Sequence, residues 1–261
     1  MRIRIACLLL LLAPVIAAAE SPWRLGAALG YGERSNPLAQ SDDVPLLLDL
    51  DIAYFGERFF FDNGDLGVTF VDNAGITMSA MARFNSDRVF FGRTDTKFVV
   101  FDAVGAPLSQ AIEVVIPDRD YAIEAGFELL SDGPWGFLQL SAFQDVSGTH
   151  KGFEIDASYG IGFRFENWYI EPAIGLAYKS KELNNYYWGV RPEEANDALP
   201  AFEAADGINA RMRLRAAYYF SREWSFALSA EYERLNDNAA SSPIVERDSM
   251  LGYFAGLAYR F

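Results

Sequence analysis

The chain has 261 residues, 22 basic side chains against 36 acidic ones, a formal net charge of −14, one cysteine and one histidine. Such an acidic balance argues against nucleic acid or anionic head groups as partners. A single cysteine cannot build a disulfide framework, and a single histidine leaves little room for acid–base catalysis.

The first nineteen residues read as a cleaved export signal. Arg2 and Arg4 form a positive start, Ile5 to Ile16 is apolar apart from Pro14, and Ala17-Ala18-Ala19 supplies small residues for cleavage between Ala19 and Glu20. Cleavage also removes Cys7, and losing two arginines takes the formal charge from −14 to −16. No later stretch of about 18 apolar residues could cross a membrane as a helix. Residues 20–261 then form one domain, with no linker or low-complexity tract to divide them.

The mature chain alternates with period two. Trp23, Leu25, Ala27, Leu29 and Tyr31 share one face, and Leu46, Leu48, Leu50, Ile52 and Tyr54 share the next. Two short strands, Phe59 to Phe61 and Leu66 to Val71, flank the turn Asp62-Asn63-Gly64. After Asp72-Asn73-Ala74-Gly75 a strand runs from Ile76 to Phe84. Ile123 to Leu129 and Leu138 to Ala142 surround Ser131-Asp132-Gly133-Pro134, and Phe153 to Phe165 returns through a tight turn into Trp168 to Tyr178. Pro172 cannot donate to a ladder, so it marks a weak point or a bulge. Ile208 to Phe220 and Trp224 to Tyr232 follow, and Leu251 to Phe261 ends the chain on an aromatic face with Tyr253, Tyr259 and Phe261.

A bare aromatic terminal strand is an aggregation hazard in water, whereas lipid covers it in a barrel whose last strand pairs with its first. The turns near 131–134, 165–167 and 221–223 are short, and the segments 33–43, 85–118, 180–205 and 236–248 are long. Short turns on the periplasmic side and long loops outside are the outer-membrane pattern. The expected fold is a closed antiparallel transmembrane β-barrel of about twelve strands, or ten if the short pair at 57–71 is not counted. Its surroundings are outer-membrane lipid, and Tyr259 with Phe261 forms a C-terminal signal for the barrel-insertion machinery. A soluble sandwich or lipocalin-like barrel also alternates. Here, though, the polar face is full of Gly, Ala and Ser, which suits a crowded lumen, and the aromatics lie on the other face.

Several motifs carry a family resemblance. They are Ser41-Asp42-Asp43, Arg58-Phe59-Phe60-Phe61, Asp145 to Gly152, Tyr186-Tyr187-Trp188-Gly189-Val190-Arg191-Pro192-Glu193-Glu194-Ala195, and Ser242-Pro243-Ile244-Val245. With them the chain resembles the MltA-interacting protein (MipA/OmpV) family of outer-membrane proteins over nearly its whole mature length. The segment from Asn85 to Asp120 departs from the family by being longer and more apolar, with Val89-Phe90-Phe91 and Phe98-Val99-Val100-Phe101 as a possible raised hairpin. The resemblance implies a non-enzymatic scaffold that links a murein lytic transglycosylase to a peptidoglycan synthase. It also implies porin-like relatives.

Chemistry has two places to sit. Asp145, Ser147 and the sole histidine, His150, lie close in sequence, but the stretch reads first as a Gly-containing loop and only second as a hydrolytic triad. Glu154, Asp156, Glu171, Arg211, Arg213, Arg215, Glu231 and Glu233 fall on the inward faces of four successive strands. They are read as an internal salt-bridge network that fills the lumen, or alternatively as the lining of a small anion-attracting pore or solute-binding barrel. The Tyr186-Tyr187-Trp188-Gly189-Val190 cluster lies in an external loop, where it either anchors a partner or folds inward as a cap. Neither cofactor nor metal is expected, because the mature chain holds no cysteine and no carboxylate spacing fits a calcium loop.

Overall fold

The computed structural model describes residues 21–91, 117–197 and 199–261. The cleavage site at Ala19 and Glu20 and the stretch Phe98 to Phe101 lie outside the described residues. Thirteen strands form one antiparallel sheet: β1 (Trp23–Arg34), β2 (Val44–Phe55), β3 (Phe59–Asp62), β4 (Asp65–Asn73), β5 (Ile76–Phe84), β6 (Ile123–Gly133), β7 (Gly136–Asp145), β8 (Phe153–Gly160), β9 (Phe163–Phe165), β10 (Trp168–Lys179), β11 (Gly207–Tyr219), β12 (Trp224–Arg234) and β13 (Ser249–Arg260). Neighbours in sequence pair, and β13 returns to β1 with Gly26 opposite Arg260, so the sheet closes on itself. Closure removes the two outermost edges that an open sheet would carry, which is what a spanning sheet needs where no water can satisfy backbone groups.

β8 and β9 are one strand interrupted at Ile161-Gly162, so the barrel has twelve staves. The expected weak point at Pro172 acts on its neighbour rather than on its own strand. β10 runs unbroken through Pro172 and pairs fully with β11, from Trp168 opposite Tyr218 to Lys179 opposite Gly207. The Pro172 carbonyl accepts from the Ile161 N–H at 3.1 Å, but its nitrogen has nothing to give back, and the β8–β9 ladder breaks there.

β3 is four residues long, so the Asn63-Gly64 turn sits within the wall. Among the described residues the outer half of β2 therefore has a strand partner, β1, on one side only. The apolar faces point outward. Leu29 is 71% exposed, Phe127 64% and Ile174 61%, values that make sense only against lipid. Ring pairs mark the periplasmic rim: Trp23 with Tyr54 at 5.0 Å, Trp168 with Tyr218 at 5.1 Å and Trp224 with Tyr259 at 4.8 Å. Phe261 packs 4.8 Å from Tyr259, and its N–H donates to the Leu25 carbonyl, so the last residue closes the seam between the two ends of the sheet.

Candidate functional site: a capped outer mouth over a charged lumen

The apolar core of this protein lies in its loops. Leu38, Phe90, Phe91, Leu183, Tyr187, Trp188, Val190, Leu199, Leu235, Ile244 and Met250 form one buried cluster across the outer mouth. At its centre is α1 (Lys181–Trp188), started by the Ser180 hydroxyl, which accepts from the Leu183 N–H. Helical spacing puts Leu183 with Tyr187, and Asn184 with Trp188, on one buried face. Phe90 and Phe91, from the 3₁₀ turn Ser86–Phe91, meet Trp188 at 6.2 and 5.9 Å. The side-chain amide of Asn36, from the first outer loop, donates to the Phe90 carbonyl. Of the two arrangements open to the Tyr-Tyr-Trp cluster, the structure has the inward one.

The residues after that cluster form its clamp. Gly189 lies against the Asn185 carbonyl so closely that a Cβ would come within 2.3 Å of that oxygen, which is why no larger side chain fits there. Val190 and Phe202 exchange backbone hydrogen bonds of 2.8 and 2.9 Å. Glu194 takes two N–H groups of the buried Arg119 guanidinium, at 2.8 and 3.1 Å, and the Arg191 backbone N–H at 2.9 Å. Arg119 also donates to the Gly189 carbonyl at 3.0 Å. Burial alone would raise the Glu194 pKa, but these donors and the arginine charges outweigh it and hold the carboxyl below its ordinary 4.5.

A depressed carboxyl pKa gives stability that is complete above the unfolded value and is lost as pH falls through the folded one. The hydrogen-exchange protection factors of residues 186–195, with the intrinsic pH dependence of exchange divided out, should thus stay high from neutral pH down to about 4.5, then fall under stronger acid. Glu194→Gln should exchange fast already at neutral pH and show a much smaller acid step. An identical acid profile in the two proteins would show that Arg119 and Glu194 do not set the clamp.

Beneath the cap lies a layer of buried charge. Lys179 donates to both Asp87 oxygens at 2.7 Å and stands 3.7 Å from Glu154. Arg83 bridges Glu154 at 2.7 Å and Glu124 at 2.9 Å. The Asn85 amide gives Glu124 another bond at 2.8 Å. His150 accepts the Gly152 N–H at Nδ1, so the proton sits on Nε2, 3.2 Å from Glu124 though poorly aligned for a regular hydrogen bond. Asp145 takes the backbone N–H groups of Ser147, Gly148, His150 and Lys151, and the Ser147 hydroxyl donates to Asp145 rather than to His150. The Asp-Ser-His stretch is a folded loop with its histidine turned into the charge layer.

The inward charges named from the sequence divide into two groups. Glu154 joins the layer just described, Glu233 accepts from Asn209 at 2.7 Å, and Arg211 reaches over Gly175 to Asp156, two strands away. Lower down, register sets Arg215 opposite Glu171 and Arg213 opposite Glu231, but neither couple forms an ion pair; Glu171 instead accepts from the Tyr169 hydroxyl. Sequence reasoning missed Asp87, Arg119 and Lys179. The last carried a signal, being the one inward cation at the outer end of its strand.

Below this layer the lumen opens. Along the inner face of β12, Glu233 is 8% exposed, Glu231 half-buried and Ser229 exposed. A cavity of about 780 Å³ is lined by Arg24, Arg34, Asp49, Arg213, Arg215 and Glu231 among others. A second space of about 260 Å³ shares Arg24 and Asp51 with it and reaches Arg222, Glu223 and Arg260 at the periplasmic rim.

A closed sheet with an apolar exterior, a charged interior and a C-terminal aromatic seam defines an outer-membrane β-barrel. The chain belongs to the MltA-interacting protein family: the family profile described as MltA-interacting protein MipA matches residues 25–261. It is 25% identical to the MltA-interacting protein of Escherichia coli (strain K12) over 94% of this chain and 93% of that one. It is 28% identical to outer membrane protein Omp26La of Vibrio anguillarum over 87% and 83% of the two chains. Among solved structures, the CymD monoaromatic hydrocarbon channel covers 92% of this chain and 88% of its own, at 11% identity and a TM-score of 0.39.

Proposed function

We propose that the protein is a non-enzymatic outer-membrane anchor that holds a murein lytic transglycosylase, and through it a peptidoglycan synthase, at the periplasmic face. The observation that carries this reading is the apolar loop core over the outer mouth. A barrel sealed outside and open below suits a task inside the cell envelope better than passage across the membrane. The relative named for interacting with MltA supports the identity of the partner, and the commitment of Asp145, Ser147 and His150 to loop structure supports the lack of catalysis.

The surface offered to such a partner is small, because the periplasmic connections are tight: Gly56 to Arg58, Ala74-Gly75, Pro134-Trp135, Glu166-Asn167 and Phe220 to Glu223. Arg58 and Arg222 are exposed cations within these connections, in an acidic chain. The refolded barrel should retain a transglycosylase of the MltA type on an affinity resin, and Arg58→Glu with Arg222→Glu should weaken retention. A barrel that retains none of the enzyme speaks against the anchor. The porin-like or solute-binding alternative draws its support from the large charged cavity.

A further inference from the structure

We infer that Arg213 and Arg215 form an oxyanion site in the periplasm-facing lumen, taking the carboxylate or phosphate group of a small solute. Both arginines project from β11 into the cavity of about 780 Å³. Arg211, on the same face, is neutralised by Asp156, and Arg24 by Asp51 and Asp62. Arg213 and Arg215 form no ion pair or hydrogen bond among the described residues, and the buried Arg213 Nε has no acceptor. A chain with fourteen more acidic than basic groups thus keeps two adjacent inward guanidiniums free.

Positions two apart on a strand stand about 6.6 Å from each other, so two planar forks can reach one small anion. An anion there would also relieve the repulsion between the two cations. Glu231 lies opposite Arg213 in register without pairing to it, and Asp49 lines the same space. Those carboxylates disfavour a long polyanion and leave room for one compact oxyanion. The opening toward Arg222 and Arg260 makes the periplasm the side of entry.

The test is calorimetric titration of the refolded full chain in a neutral-headgroup detergent at fixed ionic strength. Inorganic phosphate goes in one arm and succinate in the other, and the tighter arm identifies the group. Saturable binding is expected in at least one arm. Arg213→Gln and Arg215→Gln should each weaken it by about tenfold or more. Arg234→Gln, at the exposed outer end of β12, should leave it unchanged. Should the glutamine variants not refold, phenylglyoxal labelling of the wild type decides, with the anion expected to protect Arg213 and Arg215 but not Arg234. No saturable heat in either arm, full binding in the double variant, or labelling that ignores the anion overturns the inference. Each of those outcomes leaves the anchoring proposal untouched, because that rests on the cap and on partner retention.

Discussion

Trp188→Ala should unseal the outer mouth. The side chain is fully buried and wedged between Phe90, Phe91 and the loop core, so truncation removes a large apolar volume that α1 (Lys181–Trp188) cannot refill. Such losses cost about 3–5 kcal/mol in well-packed cores. The barrel wall does not contain Trp188, so the loss falls on the cap and not on the sheet. Protease should then cut within residues 180–205 while the membrane-embedded strands stay protected. The indole N–H has no acceptor, so Trp188→Phe removes a buried unsatisfied donor along with some volume and should cost under about 1.5 kcal/mol. Equal protection in wild type and Trp188→Ala would mean that the loop core does not hold the cap shut.

Lys179→Met should be the most damaging single change in the charge layer. It strands Asp87, and it leaves Glu154 with Arg83 as its one remaining ion-pair partner among the described residues. Breaking a buried pair from one side costs about 3–5 kcal/mol, because the remaining charge keeps its desolvation penalty without its partner. Lys179→Met combined with Asp87→Leu should recover most of that loss, since the uncompensated charge is gone. Urea unfolding of the two single variants and the double variant measures the coupling directly. Additive losses would show that the two side chains act independently despite their 2.7 Å contacts.

What the sequence disclosed follows from what a period can carry. Alternation in Trp23 to Tyr31 or Leu251 to Phe261 reports which side chains face lipid, and it needs no knowledge of neighbouring strands. Closure was legible too, because an aromatic last strand demands a partner. Register across the wall was not. Arg213 and Glu231 are direct neighbours that do not pair, whereas Arg211 finds Asp156 past an intervening glycine. That choice depends on side-chain reach over a curved interior, which no local pattern encodes. The cap was harder still. Lys179 meets Asp87 across 92 residues, and Arg119 meets Glu194 across 75. The apolar residues of the cluster around α1 come from four separate outer loops and the start of β13, and each loop reads alone as an ordinary one. The Tyr-Tyr-Trp cluster disclosed its importance by its aromatic density, but its direction was set by Phe90 and Phe91, about a hundred residues earlier in the chain.

The sealed mouth is the claim on which the anchoring proposal stands, and ion current through the refolded wild-type barrel in a planar bilayer tests it most directly. Insertion without steady current, at both polarities, is the expected result, with brief openings appearing only in Trp188→Ala. Steady conductance through the wild type, with an ion preference that reverses in Arg213→Glu, would contradict it and make the lumen a pore.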